Sequence, residues 1–212
     1  MASNTTEWLD IVDPSTGAVT GRASRADVHR DGLWHQVFHC MVLRPSVGTV
    51  VLQRRSSTKA AFPDKLDLSA TGHLESGETP VDGVREMREE LGIDIAPDAL
   101  VPIGQRLLAD DNGEGRNREL VHLYFVADDR PLDDYAPDPS EVSALVEIRA
   151  VDLVGLLGDE IETASVTEWS PAAGPTPAEM TRTDLVVDTG QYWPIVAVMC
   201  ERFLVGARPL AI

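Results

Sequence analysis

Between Gly72 and Ile93 the chain reads Gly72-His73-Leu74-Glu75-Ser76-Gly77-Glu78-Thr79-Pro80-Val81-Asp82-Gly83-Val84-Arg85-Glu86-Met87-Arg88-Glu89-Glu90-Leu91-Gly92-Ile93. A glycine-bearing loop runs into a short helix crowded with carboxylates, and few folds accommodate such a segment. Thr79 is a suitable N-cap, Asp82 three residues on completes a capping box, and Pro80 suits the first helical position. Gly92 is a stop signal after Leu91, so the spacing predicts a helix over 80–91. At about 100° per residue Val84, Met87 and Leu91 share one face, and Glu86, Glu89 and Glu90 fall opposite.

That acidic face is not one that helix stability selects. Glu86 and Glu90 are like-charge i,i+4 neighbours, which costs roughly 0.2–0.5 kcal/mol. They also lie toward the end where the helix dipole disfavours anions. A solvated charged face with Arg85 and Arg88 interspersed is the plain reading of the helix alone. The glycine loop, Glu78 and the carboxylate spacing point instead to a site that holds divalent cations against a diphosphate.

The segment resembles the Nudix box: Gly, five residues, Glu, seven residues, then Arg-Glu-U-x-Glu-Glu-x-Gly-U, with U aliphatic. Gly72 and Glu78 match the first half, and Arg85 to Ile93 match the second completely. Six residues rather than seven separate Glu78 from Arg85, a departure that bears on the placement of Glu78 more than on the helical trio. The resemblance implies an α/β/α sandwich around a mixed β-sheet and hydrolysis of a diphosphate. It implies Glu86, Glu89 and Glu90 as magnesium ligands, with manganese a possible substitute, and the backbone carbonyl of Thr71 as a further ligand. It implies Arg85 as the partner that orients Glu78 or a neighbouring carboxylate, and Glu89, Glu90 or Glu119 as catalytic carboxylates.

The flanks narrow the resemblance. From about Trp8 to Val151 the chain is similar to the Nudix subgroup that includes type I isopentenyl-diphosphate isomerase and its hydrolase relatives. Arg54 and Lys59, with Arg55 beside them, match positions that hold the diphosphate. His35 and His73 match isomerase metal ligands and also stand as candidates for contact with the substrate. Glu119 matches the isomerase's second acid. The residue before the Gly-His pair is a catalytic cysteine in the isomerases and Thr71 here. A hydroxyl is a poor proton donor to an alkene beside a thiol, so the isomerase reaction is disfavoured. The two alternatives to hydrolysis are a diphosphate-binding module without catalysis and that isomerase.

At 212 residues with a 43% hydrophobic fraction the chain is expected to form one domain over 7–212, with residues 1–6 disordered. A formal charge of −17 argues against nucleic-acid or anionic-membrane surfaces. A diphosphate would meet the same repulsion unless bound cations inverted the local field. Cys40 and Cys200 are the two cysteines, without a CxxC motif, which fits a reducing cytoplasm. No apolar run approaches 18 residues, so no membrane span is expected.

Trp8 to Val12 and Ala18 to Arg22 read as an N-terminal hairpin, whose edge could serve a homodimer. Strands are expected over 36–43, 49–53, 66–70, 100–109, 119–126 and 144–149, with helices at 151–157 and 192–204. Asp110 to Gly115 reads as a flexible connection. The proline-rich stretch near 170–190 reads as a loop or lid. Trp34, Phe62, Trp169, Tyr192 and Trp193 could line an apolar pocket or belong to the core.

Overall fold

The structure, a computed structural model, describes residues 6–112, 115–187 and 191–212. Residues 1–5, most of the segment expected to be disordered, lie outside the described residues. In chain order the elements are β1 (Trp8–Val12), β2 (Val19–Ser24), α1 (Arg25–Asp31), β3 (His35–Arg44), β4 (Thr49–Arg55), β5 (Leu66–Asp67), β6 (Ala70–His73), α2 (Arg85–Leu91), β7 (Val101–Asn112), β8 (Gly115–Ala127), β9 (Val142–Arg149), α3 (Ala150–Leu157), β10 (Thr163–Ser170), β11 (Gly174–Thr181) and α4 (Tyr192–Leu204).

β3 is the axis of the fold because both of its faces are apolar. Val37, Met41 and Leu43 pack with Leu153 and Leu156 of α3 and with Val196 and Cys200 of α4. Phe38, Cys40 and Val42 pack with Met87 and Leu91 of α2. A strand buried on both faces needs a cover on each side, and the result is the expected α/β/α sandwich around a mixed sheet. β8 runs parallel to β3 along its length, from His35 opposite Glu119 to Leu43 opposite Ala127.

On the other side of β3 the sheet splits. β4 pairs antiparallel with β3 only at residues 42–44, while β6 takes the pairing at residues 37–40. β5 fills in beside the far end of β4, which pairs with β9 along its other edge. The divergence of β3 and β4 opens a wedge, and the loop into α2 leaves from the end of β6 at its mouth. The sheet order places the β10–β11 hairpin at one end and the β1–β2 hairpin at the other.

Four expectations need correction. The helix over 80–91 opens as a 3-10 turn at Asp82–Val84, and the α-helix begins at Arg85. Asp82 does accept the Thr79 amide at 2.7 Å and its hydroxyl at 2.6 Å, so the box residues close a turn instead of capping an α-helix. The connection over 110–115 is largely strand: Asp110 pairs with Asn117 and Asp111 with Arg116, with residues 113–114 outside the described set. Within the loop or lid expected over 170–190, Gly174–Thr181 is strand β11, joined to β10 by a turn at residues 171–173 and paired with it. Its prolines are tolerated because β11 is the sheet's last strand and need not donate outward. Residues 188–190 of that stretch lie outside the described residues. Finally, α1 was missed, although Ser24 caps it by accepting the Asp27 amide and Gly32 ends it at φ 67°.

Candidate active site and metal centres

The carboxylate helix meets β6 at the wedge. Glu86 and Glu90 are 8% and 3% exposed, while Glu89 faces solvent, so the trio does not share one wet face as the helical wheel suggested. Glu86 lies flat against β6, and a Cβ on Gly72 would collide with its carboxylate. That close approach explains the glycine. Glu90 reaches further in, where its Oε2 accepts the Thr71 amide at 2.8 Å and the Gln53 side-chain amide at 3.0 Å. Thr71 thus turns its amide toward this helix.

Arg85 ties the cluster together. Its Nε and Nη2 donate to Glu78, its Nη1 to Glu86 and Glu89 at 2.7 and 2.9 Å, and its Nη2 to the His73 carbonyl at 2.8 Å. Glu78 is thus placed for pairing with Arg85 despite the box being one residue short. Burial pushes the Glu86 carboxyl up to about 7, opposed by Arg85 and aided by Glu89. Burial and the Glu86 charge push Glu90 up to about 8, against the Thr71 bond. Oxygen-only donors held at such a cost fit a hard divalent cation, which would relieve the repulsion.

Thr71, Gly72, Arg85, Glu86, Glu89 and Glu90 line one cleft of about 1040 Å³. Arg55 and Lys59 line it, Arg55 paired with Asp67 at 3.2 Å and Lys59 with Glu141. Arg54 does not: it binds Glu168 at 2.6–3.0 Å and the Asp64 carbonyl. Strand alternation turns it the opposite way from Gln53 and Arg55, a geometric reason the sequence match could not supply. Glu119 lines the cleft from β8, and Phe62, Tyr192 and Trp193 do so among the aromatics. Trp169 belongs to the core beneath α2.

Where α1, β3 and β6 meet, three imidazoles converge, and two of them, His29 and His73, line the cleft. His29 comes from α1, His35 from the start of β3 and His73 from the end of β6. One ring nitrogen from each lies within 4.8 Å of the others, the one such group of three among the described residues. His29 Nε2 and His73 Nε2 are 3.3 Å apart. His29 Nδ1 and His35 Nε2 are buried without a hydrogen-bond partner. His35 donates or accepts only at Nδ1, against the Leu33 carbonyl at 3.0 Å. Burial, with the charges of Arg25 and the neighbouring histidines, lowers His73 well below the usual range and His35 to about 4. Neutral, mutually facing imidazoles with orphaned nitrogens fit a transition-metal ion. His35 is fully buried, and of the three it is His29 and His73 that line the cleft. His29 was missed because α1 was missed; the Ser24-x-x-Asp27 cap and Gly32 were the signals.

The NUDIX domain family model matches residues 33–169. The chain belongs to the Nudix hydrolase family. It is 38% identical over 160 residues to an uncharacterized Nudix hydrolase of Clostridium acetobutylicum, covering 74% of this chain and 76% of that protein. It is 32% identical over 145 residues to Nudix hydrolase 3 of Arabidopsis thaliana, which covers 66% of this chain but 19% of the plant protein. Among solved structures DR0079 from Deinococcus radiodurans shares the fold, with a TM-score of 0.56 and 25% identity over 72% of this chain and 90% of that one. Nudix hydrolases are pyrophosphohydrolases that act on small-molecule diphosphates, generally with divalent metal ions. The box residues of this Nudix hydrolase are the ones the structure gathers at α2.

Proposed function

We propose that this Nudix hydrolase is a magnesium-dependent enzyme that cleaves a small organic diphosphate, isoprenoid or nucleoside, by attack of water on phosphorus. The charge of the cleft carries the reading. Ten carboxylates line it against five arginines and lysines among the described residues. A diphosphate is repelled by such a surface unless divalent cations enter with it. Glu86, Glu89 and Glu90 are the residues to hold them, manganese serving in place of magnesium. When bound, the cation polarises the phosphoryl group and acidifies a bound water. Glu89, the exposed member of the trio, or Glu119 takes the water's proton. Arg85 fixes the carboxylates, and Arg55 and Lys59 balance the remaining phosphate charge.

The three histidines form a second, nitrogen-donor centre in this reading, suited to zinc, iron or another transition metal. They are also the observation that favours an isomerase-like alternative, with Thr71 as its obstacle. Two buried free thiols, Cys40 and Cys200, support a cytoplasmic setting. No helix among the described residues is long and apolar enough to cross a membrane. The exposed edge of β2 offers a place for a second copy to add.

A panel of isoprenoid and nucleoside diphosphates, incubated with magnesium and with EDTA, tests the function. Metal-dependent phosphate or monophosphate release is expected from at least one member. Binding without turnover across the panel supports the non-catalytic module instead. Conversion of isopentenyl to dimethylallyl diphosphate supports the isomerase.

A further inference from the structure

Gln53 is an anomaly in the middle of a buried strand. On β4 Val51 packs against Met87 and Leu91 of α2, and strand alternation sends residue 53 toward the same helix. An apolar side chain suits that position, yet the chain has a glutamine that is 1% exposed. Its carbonyl Oε1 is buried with no partner, so the amide is not there for packing. Its Nε2 donates to Glu90 Oε2 at 3.0 Å, with a longer 3.5 Å contact to the Thr71 hydroxyl.

The same Glu90 oxygen accepts the Thr71 amide at 2.8 Å, and Oε1 takes no protein donor among the described residues. We infer that Gln53 is a positioning residue that selects the metal: with the Thr71 amide it occupies Oε2 of Glu90, so that Oε1 alone ligates. Magnesium demands a near-ideal octahedron and keeps its waters, which a single carboxylate oxygen suits. Calcium accepts longer, flexible and bidentate carboxylate coordination. Occupying one oxygen therefore disfavours calcium more than magnesium. The inference rests on the reading of Glu90 as a metal ligand and goes beyond it, to which ion that ligand prefers.

Gln53→Met tests it, since methionine keeps the length and volume without a donor. Magnesium and calcium affinities are measured by competition against manganese, followed by electron paramagnetic resonance on the protein without substrate. Magnesium affinity is expected to fall about 10–100-fold, the range for losing an outer partner of a ligating group, and calcium affinity to fall less. A drop in both ions by the same factor, or in neither, overturns the inference, because loosened packing has no reason to discriminate between them. Glu90→Gln separates the two ideas. If it leaves manganese binding unchanged, the ligand reading fails and the inference falls with it. If it removes binding while Gln53→Met keeps the magnesium preference, only the inference fails. A manganese-loaded crystal of the unaltered protein gives an independent check: coordination through Oε1 alone supports the role of Gln53, and chelation by both Glu90 oxygens sinks it.

Discussion

The two ends of the cleft solve the same problem, burying titratable groups, with opposite chemistry. At the α2 end Glu86 and Glu90 are acids lifted to about 7 and 8, stitched to Arg85, Gln53 and the Thr71 amide. At the other, His35 Nδ1 meets the Leu33 carbonyl at 3.0 Å and His73 Nδ1 lies 3.5 Å from Glu7, while His29 Nδ1 and His35 Nε2 are buried without a hydrogen-bond partner. The carboxylates are held in place by hydrogen bonds. The histidines have fewer side-chain bonds and face one another. One takes its carboxylates from a single helix, fastened to Gln53 of β4 and Thr71 of β6; the other draws its three imidazoles from α1, β3 and β6. The contrast teaches that hydrogen-bonded sites are spelled locally, whereas sites built by convergence depend on tertiary contacts.

The sharpest way to break the comparison is to remove one residue from each end. Glu90→Gln is expected to lower turnover with magnesium by about two to three orders of magnitude, the several kcal/mol that a metal clamp supplies. The fold should survive, since glutamine is nearly isosteric and can still accept the Thr71 amide. Steady-state kinetics on a reactive diphosphate decides it, and an unchanged kcat removes Glu90 from the site. His29→Ala is expected to act elsewhere. It should weaken cobalt or zinc binding about 10–100-fold while leaving the manganese affinity of the α2 end within about twofold. Cobalt's visible spectrum reports the nitrogen-rich site, and a spectrum indifferent to His29 shows that the imidazoles do not share an ion.

The α2 end was legible because its constraints are local. The Gly92 stop, Arg85 and the Glu86/Glu89/Glu90 spacing are read along one helix, and the glycine at position 72 is explained by one contact with Glu86. Burial was not legible: a wheel puts Glu86 and Glu90 on a polar face, but the wedge between β3 and β4 brings β6 over that face. Arg54 failed for a similar reason, because strand alternation and Glu168, more than a hundred residues away, decide where it points. The strand pairing of Pro175 and Pro177 was hidden because proline is read as a breaker, and only the position of β11 at the sheet's end lifts that rule. Helix α4 was read over Tyr192–Leu204 as it stands, since its apolar spacing depends on nothing outside itself.

The smallest effect separates the two ends by sign. Glu86 and Glu90 are raised from the ordinary 4.5 to about 7 and 8, so between these limits the folded protein holds protons that the unfolded chain has released. Stability contributed by their protonation is therefore lost as pH rises through that window. His35, lowered to about 4, and His73, lowered well below its ordinary value, behave the other way. Their contribution is lost as pH falls below 6.5, and above 6.5 they are neutral in both states. The contributions oppose one another below pH 6.5, and only the carboxylates remain above it. Without metal, the melting temperature is expected to fall between pH 6.5 and 7.5 by about 3–6 °C, at roughly 1.4 kcal/mol per pH unit for one such proton. Saturating magnesium should flatten the fall, because a bound cation favours the ionised carboxylates at every pH in the window. Glu90→Gln should flatten it without metal. A melting temperature that holds or rises over that unit of pH, measured by scanning calorimetry in EDTA, shows that Glu86 and Glu90 do not carry raised pKa values in the folded protein.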